Sequence, residues 1–274
     1  MLFTNSNGYV GFRKLFDSSV ALLHLMKISL ITVSYNSATT ISDTINSINN
    51  QQYPHIEHIV IDGNSKDGTL DIIKNNPGRI SKWISEPDKG IYDAMNKGIA
   101  LCTGEVVGIL NSDDFYSNNQ IISQIANAFE DSSIDAVYGD LVFVDPGNLN
   151  KVVRAYSSKN WMPKKFAWGF MPAHPTFFVR RKYYHSIGLF KTDYKISADY
   201  ELLIRFLAVN KLNCQYLPLQ MVKMRKGGVS SRGIRSNYIL NEEIIRACRE
   251  NGISTNRAMV YSKYFFKFFE LFNR

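Results

Sequence analysis

Two adjacent carboxylates, Asp113 and Asp114, are the strongest sign of chemistry in this sequence, and Asn111 and Ser112 precede them. Neighbouring carboxylates repel each other, so a partly enclosed site that keeps both ionised needs a compensating cation. Mg²⁺ and Mn²⁺ prefer carboxylate oxygens and commonly complete their ligand shell with substrate phosphates. The pair therefore predicts a divalent-cation site for a phosphorylated substrate. The alternative is a helix N-terminus, where two acids would favour the helix dipole.

Two further aspartates stand where a reactive group would be useful. Asp62 follows a predicted strand at residues 56–61, and Asp199 lies at the start of a periodic stretch at residues 197–209. A carboxylate held in a cleft can act as a general base toward a hydroxyl group. The alternative for Asp199 is an exposed helix residue that pairs with Arg205.

Strand-like and helix-like segments alternate through the first half of the chain, which is typical of an α/β fold with a mostly parallel sheet and helices on both faces. Ligands bind beyond the carboxyl ends of the strands in such sheets, so Asp62 and the pair Asp113 and Asp114 should open onto one crevice. The second half is less regular, with short strands on both sides of Gly139. The predicted strands of the first half are residues 27–34, 56–61, 80–84 and 106–110, and its helices are marked by Ile41, Ile45 and Ile48, by Leu70, Ile72 and Ile73, and by residues 91–101.

The composition is that of an ordinary globular protein: 274 residues, 45% hydrophobic and 20% charged. No stretch reaches the roughly 20 uncharged apolar residues that a membrane-spanning helix requires, and residues 1–25 lack a secretory pattern. Three widely spaced cysteines argue against a disulfide framework, so we expect a cytoplasmic protein. The net charge of +8 is concentrated after residue 150 without a nucleic-acid module, so no nucleic-acid partner is expected.

Several short motifs follow one another along the chain: residues 31–36 (ITVSYN), 61–69 (IDGNSKDGT), 94–99 (AMNKGI), 103–105 (TGE) and 110–114 (LNSDD), and then 174–178 (HPTFF), 198–201 (ADYE) and 227–230 (GGVS). Their order resembles the family 2 glycosyltransferases of the GT-A fold, especially polysaccharide-assembly members of the colanic-acid type, with the last three segments matching more loosely. The resemblance implies that Thr32, Ser34 and Asn36 line a nucleoside pocket. It also implies that Asp62 accepts a hydrogen bond from the base.

This resemblance implies an inverting glycosyltransferase that moves a sugar from a nucleoside-diphosphate sugar to a saccharide or lipid-linked acceptor in surface polysaccharide synthesis. It implies Mg²⁺ or Mn²⁺ as cofactor, because a divalent cation stabilises the leaving diphosphate. By position, Asp113 would face the ribose or the metal, and Asp114 would ligate the metal bound to the diphosphate. Asp199 would be the general base.

The sequence departs from the family pattern at two places. Asn111 or Ser112 stands where the metal motif usually has its first aspartate. Ala198 stands where an acid often precedes the base, which leaves Asp199 as the expected base and Glu201 in contention.

Four other residues are candidates for binding substrate. Lys89 and Asp93 lie at the start of a predicted helix, where phosphates bind readily, and ordinary capping by Asp88 is the alternative. Arg232 follows a glycine pair and could clamp a phosphate, unless its loop is a plain surface loop. His174 would meet the acceptor, with Glu201 as the other candidate for that contact, although a lone histidine before an apolar run is more often structural.

We divide the chain into an N-terminal extension (1–25), a GT-A domain (26–235) and a C-terminal helical tail (236–274). The extension shows no strand or helix that the sheet needs, so we expect it to be dispensable. Aromatic and basic residues alternate at 261–269, which suits an interfacial contact at the inner face of a membrane. Packing against the main domain, or against a second subunit, is the alternative.

Two other functions fit parts of the pattern. A sugar-phosphate nucleotidyltransferase uses a similar sheet, but it needs a glycine-rich, arginine-containing loop after the first strand, and residues 35–38 contain no glycine. A non-catalytic, nucleotide-binding assembly subunit would be expected to lack the acidic set, and that set is present.

Overall fold

The computed structural model describes residues 25–76, 78–227 and 233–272. The strands are β1 (Ile28–Ser34), β2 (Ile56–Asp62), β3 (Ile80–Ser85), β4 (Val106–Ile109), β5 (Asp114–Tyr116), β6 (Ala136–Asp145), β7 (Asn148–Tyr156), β8 (Phe178–Arg180) and β9 (Cys214–Arg225). The helices are α1 (Ile41–Asn49), α2 (Thr69–Asn75), α3 (Ile91–Leu101), α4 (Ile121–Ala128), α5 (Lys182–Ser186), α6 (Ala198–Ile204), α7 (Ile234–Glu250) and α8 (Arg257–Phe272).

The first four strands pair in parallel in the order β3-β2-β1-β4, as the alternating pattern predicts. β1 is central and wholly buried, and its alternate side chains enter two different cores. Ile31 and Val33 pack on the side of α3, and Leu30 packs on the side of α4. Gly98 lets α3 approach the sheet closely, since a Cβ there would lie 2.4 Å from Cγ2 of Ile31. Helices therefore cover both faces of this half of the sheet.

Beyond β4 the sheet is mixed rather than parallel. β8 runs antiparallel to β4 and to β6, whereas β9 runs parallel to β6 and antiparallel to β5. The two short strands predicted around Gly139 are one strand, β6, whose register shifts at that point. Because β8 opposes β4, the 3₁₀ turn His174–Thr176 in front of it lies at the carboxyl edge of β4.

The C-terminal helices belong to the same core as the sheet. Ile244, Ala247 and Cys248 of α7 are buried in one cluster with Ile31 of β1, so a boundary after residue 235 does not separate an independent unit. The predicted helix at 197–209 is α6, extended by a π-helical turn (Arg205–Val209).

Two sequence predictions fall on parts of the chain that the structure leaves undescribed. Residues 1–24 lie outside the described residues, so a dispensable N-terminal extension stays a prediction. The side chains of residues 265–272 lie outside them as well, and the membrane contact through the tail stays a prediction. Within the described ranges, no helix is both long and apolar enough to cross a membrane.

Candidate active site

The loops that follow β1 and β2 are joined by hydrogen bonds at the carboxyl edge of the sheet. The backbone N–H of Asn36 donates to Ser65 Oγ (2.8 Å), and Asn36 Oδ1 accepts from the N–H of Lys66 (3.0 Å). The N–H of Ala38 donates to Asp67 Oδ2 (3.0 Å). Asn36 has a φ of +48°, a left-handed conformation that asparagine tolerates better than most residues. Asn36 thus joins two loops, and its side-chain carbonyl already has a partner.

Asp62 organises this edge from inside the protein. Its side chain is 0% exposed, and Oδ1 accepts from the hydroxyls of Ser34 (3.2 Å) and Ser65. Oδ2 accepts from the N–H of Ser65 (3.0 Å) and from Ser85 Oγ (2.6 Å). A carboxylate offers about four lone-pair sites, and these donors use all of them. The assignment of Asp62 to the nucleobase is therefore corrected to a positioning role, and the Ser34 hydroxyl is committed to the same network.

Thr32 also lies away from the crevice. Its side chain is fully buried within the sheet, with Oγ1 3.0 Å from Nε2 of His58. Burial lowers the pKa of His58 to about 3, so this pair is neutral. The expectation that Thr32 lines the nucleoside pocket is wrong, because its side chain is enclosed below the edge of the sheet.

Three residues that were not predicted to bind substrate lie close together at this edge: Tyr35, Gly63 and Asp88. Tyr35 directly follows β1 and is 67% exposed, unusually high for an aromatic residue next to a buried strand. A Cβ on Gly63 would lie 3.2 Å from Tyr35 Cδ2 and 2.6 Å from Asp88 Oδ2, so both side chains approach this glycine. An open aromatic face can stack on a planar ring. The carboxylate beside it can accept a hydrogen bond from an N–H group of that ring. The sequence signal was an aromatic residue directly after a strand end.

The two adjacent aspartates have different surroundings. Asp113 lies in the turn after β4 and is partly exposed, whereas Asp114 begins β5 and is 1% exposed. Neither carboxylate oxygen of Asp114 has a hydrogen-bond partner among the described residues. Burial raises the pKa of Asp114 well above its usual value, the charge of Asp113 raises it further, and Arg225 opposes both. The helix N-terminus alternative is wrong, because α4 begins only at Ile121.

This segment suits a hard divalent cation. Unpaired buried acceptors are costly, and Asn111 Oδ1 is a third buried oxygen without a partner in the described part of the chain. Together with Asp113 and Asp114 it makes an oxygen-only donor set, which Mg²⁺ and Mn²⁺ prefer. Across the described residues no group of three acidic, histidine or cysteine side chains is close enough to hold a metal, so further ligands would come from substrate.

A second cluster surrounds Asp199 in the first turn of α6. Asp199 Oδ1 accepts from the N–H of Tyr200 (2.8 Å) and lies 3.5 Å from the hydroxyl of Tyr92. Burial raises the pKa of Asp199, and the nearby His174 partly offsets that increase. Tyr92 lies in α3 just beyond β3, and His174 lies in front of β8, so the cluster stands at the same edge of the sheet. The alternative pairing with Arg205 is wrong, since Arg205 bonds to Glu201.

Glu201 has a structural role and does not face the acceptor. It is 0% exposed, and its oxygens lie 2.9 Å from Lys191 Nζ and 2.9 Å from Arg205 Nη2. The tentative acceptor or base role of Glu201 is therefore corrected, because both oxygens are engaged in ion pairs.

Loss of this buried charge should destabilise the fold. We expect Glu201→Gln to lower the free energy of unfolding by about 3 kcal/mol, because Arg205 keeps its buried charge without a counterion. Chemical denaturation would measure the loss. Glu242→Gln is the matched control, since its ion pair with Arg257 (2.9 Å) lies at the surface and its loss should leave the free energy of unfolding nearly unchanged. Equal effects of the two variants would contradict this assignment.

The remaining candidates are less constrained. Asp93 Oδ2 accepts from the N–H of Lys89 (3.0 Å) and lies 3.6 Å from Lys97 Nζ, so Asp93 shapes the turn that presents Lys89. The side chain of Lys89 is exposed at the start of α3. Asp88 Oδ1 accepts from the N–H of Gly90 (2.8 Å). Arg232 lies outside the described residues.

Comparison with known proteins agrees with this arrangement. The family model described as Glycosyl transferase family 2 matches residues 29–188, more than half of the chain. The PGL/p-HBAD biosynthesis glycosyltransferase of Mycobacterium bovis (strain BCG / Pasteur 1173P2) is 27% identical over 228 residues, which are 80% of this chain and 82% of the relative.

Two solved structures have the same fold. TarS 1–349 of S. aureus, in complex with UDP-GlcNAc, has a TM-score of 0.63 at 20% identity; the match covers 81% of this chain and 66% of that one. The match to the longer TarS chain covers 39% of its length. The mannosyltransferase PcManGT from Pyrobaculum calidifontis, in complex with GDP-Man and Mn²⁺, has a TM-score of 0.59 at 20% identity, covering 82% of this chain and 65% of that one. These neighbours identify the fold as GT-A type.

Proposed function

The chain belongs to glycosyltransferase family 2, and from that premise we propose that it transfers a sugar from a nucleoside-diphosphate sugar to a hydroxyl of a saccharide or lipid-linked acceptor. One observation carries the proposal. A single edge of the sheet holds an open aromatic face at Tyr35, the aspartate pair after β4 and the half-buried Asp199. These features match the three needs of the reaction, which are a binding surface for the nucleoside, a site for a cation that neutralises the diphosphate, and a base for the acceptor hydroxyl.

The donor would lie across the ends of β1 to β4. Tyr35 would stack on the nucleobase, and Asp88 would accept one of its N–H groups. Asp113 would hold a divalent cation, with Asp114 beside it. When bound, such a cation neutralises the charge that develops on the leaving nucleoside diphosphate. The complexes of TarS with UDP-GlcNAc and of PcManGT with GDP-Man and Mn²⁺ support this choice of ligands.

The acceptor would lie against Asp199 and His174. We propose that the acceptor hydroxyl oxygen attacks the anomeric carbon while its proton passes to the carboxylate of Asp199, and the bond from carbon to the diphosphate oxygen breaks. A single displacement of this kind inverts the anomeric centre and needs only one base. The raised pKa of Asp199 suits the role, because a base works best when its pKa lies near the working pH.

The acceptor class is proposed from a relative. The mycobacterial match is named for PGL/p-HBAD biosynthesis, which supports an acceptor in the synthesis of envelope or surface glycans. The colanic-acid type stays a prediction.

Protection against thermal unfolding by a panel of nucleotides tests the proposal. We expect one class of nucleotide sugar, with Mn²⁺ or Mg²⁺, to stabilise the protein by about 2.7 kcal/mol at 100 times its dissociation constant. Radiolabelled sugar transfer to saccharide and lipid-linked acceptors would follow with that donor. Protection only by a nucleoside triphosphate with a sugar 1-phosphate would instead support the nucleotidyltransferase, and protection without transfer to any acceptor would support the non-catalytic subunit.

Tyr35 should contribute strongly to nucleotide binding. Stacking of a base on an aromatic ring contributes about 1–3 kcal/mol, so Tyr35→Ala should weaken donor binding roughly 5- to 150-fold. Tyr35→Phe keeps the ring and should bind nearly as the parent does. Isothermal titration with the nucleoside diphosphate would measure both, and parental affinity in Tyr35→Ala would exclude the stacking role.

A further inference from the structure

The segment that leads into Asp199 is held by one carboxylate from a distant helix. Glu243 of α7 accepts from three successive backbone N–H groups, those of Lys195 (2.6 Å), Ile196 (2.9 Å) and Ser197 (2.9 Å). Successive N–H groups that converge in this way form a concave site for an anion, and Glu243 fills it.

The opposite side of the same segment is fixed by α3. The hydroxyl of Tyr92 donates to the carbonyl of Ile196 and lies 3.5 Å from Asp199 Oδ1. Ser197 Oγ adds a longer bond to the carbonyl of Leu240 in α7 (3.4 Å). The turn that carries Asp199 is thus held between a helix at the donor site and a helix outside the family match, which ends at residue 188.

We propose that Glu243 is a positioning residue for the general base: it holds residues 195–197 so that the carboxylate of Asp199 meets the acceptor hydroxyl. This rests on the proposed function. The hydrogen bonds that Glu243 accepts come from the backbone of residues 195–197, so it acts on Asp199 through the turn. Without its carboxylate three N–H groups lose their acceptor, and the turn can shift. A displacement of about 1 Å at a reacting group can cost on the order of 10²-fold in rate.

The surroundings of Asp199 predict a change in the pH dependence of kcat that a simple loss of stability would not cause. The groups that face it are His174 and Tyr92, with Glu243 behind the backbone. Burial keeps the pKa of Asp199 raised, so a looser turn that admits water should lower that pKa. The acid limb of the kcat profile should then move to lower pH when Glu243 is replaced.

The test compares Glu243→Gln with Glu242→Gln in the full chain. Glu242 is the preceding residue of the same helix, and its half-buried carboxylate accepts from Arg257 Nε (3.0 Å) and Nη2 (2.9 Å). We expect Glu243→Gln to lower kcat about 10- to 100-fold with unchanged donor affinity, and Glu242→Gln to behave as the parent. Hydrogen exchange should speed up at the amides of residues 195–197 in the first variant only. Should Glu243→Gln fail to fold, Glu243→Asp retains the charge on a shorter arm, and the same readouts apply.

A double variant separates positioning from general damage. Asp199→Asn combined with Glu243→Gln should lose no more activity than Asp199→Asn alone, because the two residues act as one unit. The role of Glu243 would be overturned if the two substitutions lowered activity additively. It would also be overturned if Glu243→Gln left the acid limb of the kcat profile in place, or left the amides of residues 195–197 as protected as in the parent. Failure of the proposed function looks different, since the parent protein would then bind no nucleotide sugar, or Asp199→Asn would remain active.

Discussion

Replacing Asp199 with asparagine should lower sugar transfer by about 10²- to 10⁴-fold while leaving donor binding intact. Asparagine keeps the size of the side chain and the hydrogen bond from the N–H of Tyr200 (2.8 Å), but it cannot take a proton. The loss should therefore appear in kcat, measured with saturating donor, and titration of the nucleoside diphosphate should give the parental affinity.

The pH dependence of kcat gives an independent check of the same residue. Only the ionised carboxylate can accept a proton, and burial raises the pKa of Asp199. Activity should therefore fall as the pH drops through that raised pKa, at a higher pH than an exposed aspartate would give. The residual activity of Asp199→Asn should lose this limb. Equal loss of donor binding, or an unchanged acid limb in the variant, would show that Asp199 is not the base.

The choice between Asp199 and Glu201 could have been made from helix geometry. With about 3.6 residues per turn, side chains two positions apart point roughly 200° from one another. Only one of the two can face the crevice, and the other must face the body of the protein. Arg205 lies four residues after Glu201, at the spacing of an ion pair on one helix face. That spacing indicated Glu201 as the structural partner, and the structure agrees.

The parallel half of the sheet was predictable because each of its elements has its own periodic signal. The buried run 28–34, the isoleucine spacing of α1 and the turn residues between them are all local features of the chain. The second half depends on pairings between distant residues, such as β9 with both β6 and β5. No local pattern specifies these partners, so the sequence did not predict that the sheet becomes mixed.

The errors at the site have a different origin. A carboxylate at a strand end can accept hydrogen bonds either from a ligand or from the protein's own loops. The sequence alone does not show how many hydrogen-bond donors surround it. The hydroxyls and amides that saturate Asp62 come from residues 34, 65 and 85, on three separate segments. Tyr35 was not predicted as a binding residue because the exposure of its ring depends on how the loops around it fold.

The aspartate pair after β4 makes the last prediction, and the two residues should respond unequally. Asp113 is partly exposed, whereas the carboxylate of Asp114 is enclosed and has its pKa raised well above its usual value. Asparagine matches aspartate in size, so Asp114→Asn should retain the fold. Asp113→Asn removes the accessible charge, and transfer should fall by about 10²- to 10³-fold.

Cation-dependent donor binding distinguishes the two aspartates most sharply. With the parent protein, Mn²⁺ should strengthen binding of the nucleoside diphosphate, and excess EDTA should abolish both this gain and turnover. Asp113→Asn should lose most of the gain, whereas Asp114→Asn should keep more of it, because the carboxylate of Asp113 is the more accessible of the two. Loss of the Mn²⁺ effect in Asp114→Asn but not in Asp113→Asn would instead identify Asp114 as the principal ligand. Its two carboxylate oxygens, which have no partner among the described residues, would then bind the cation. Full transfer in EDTA would exclude a metal from the reaction altogether.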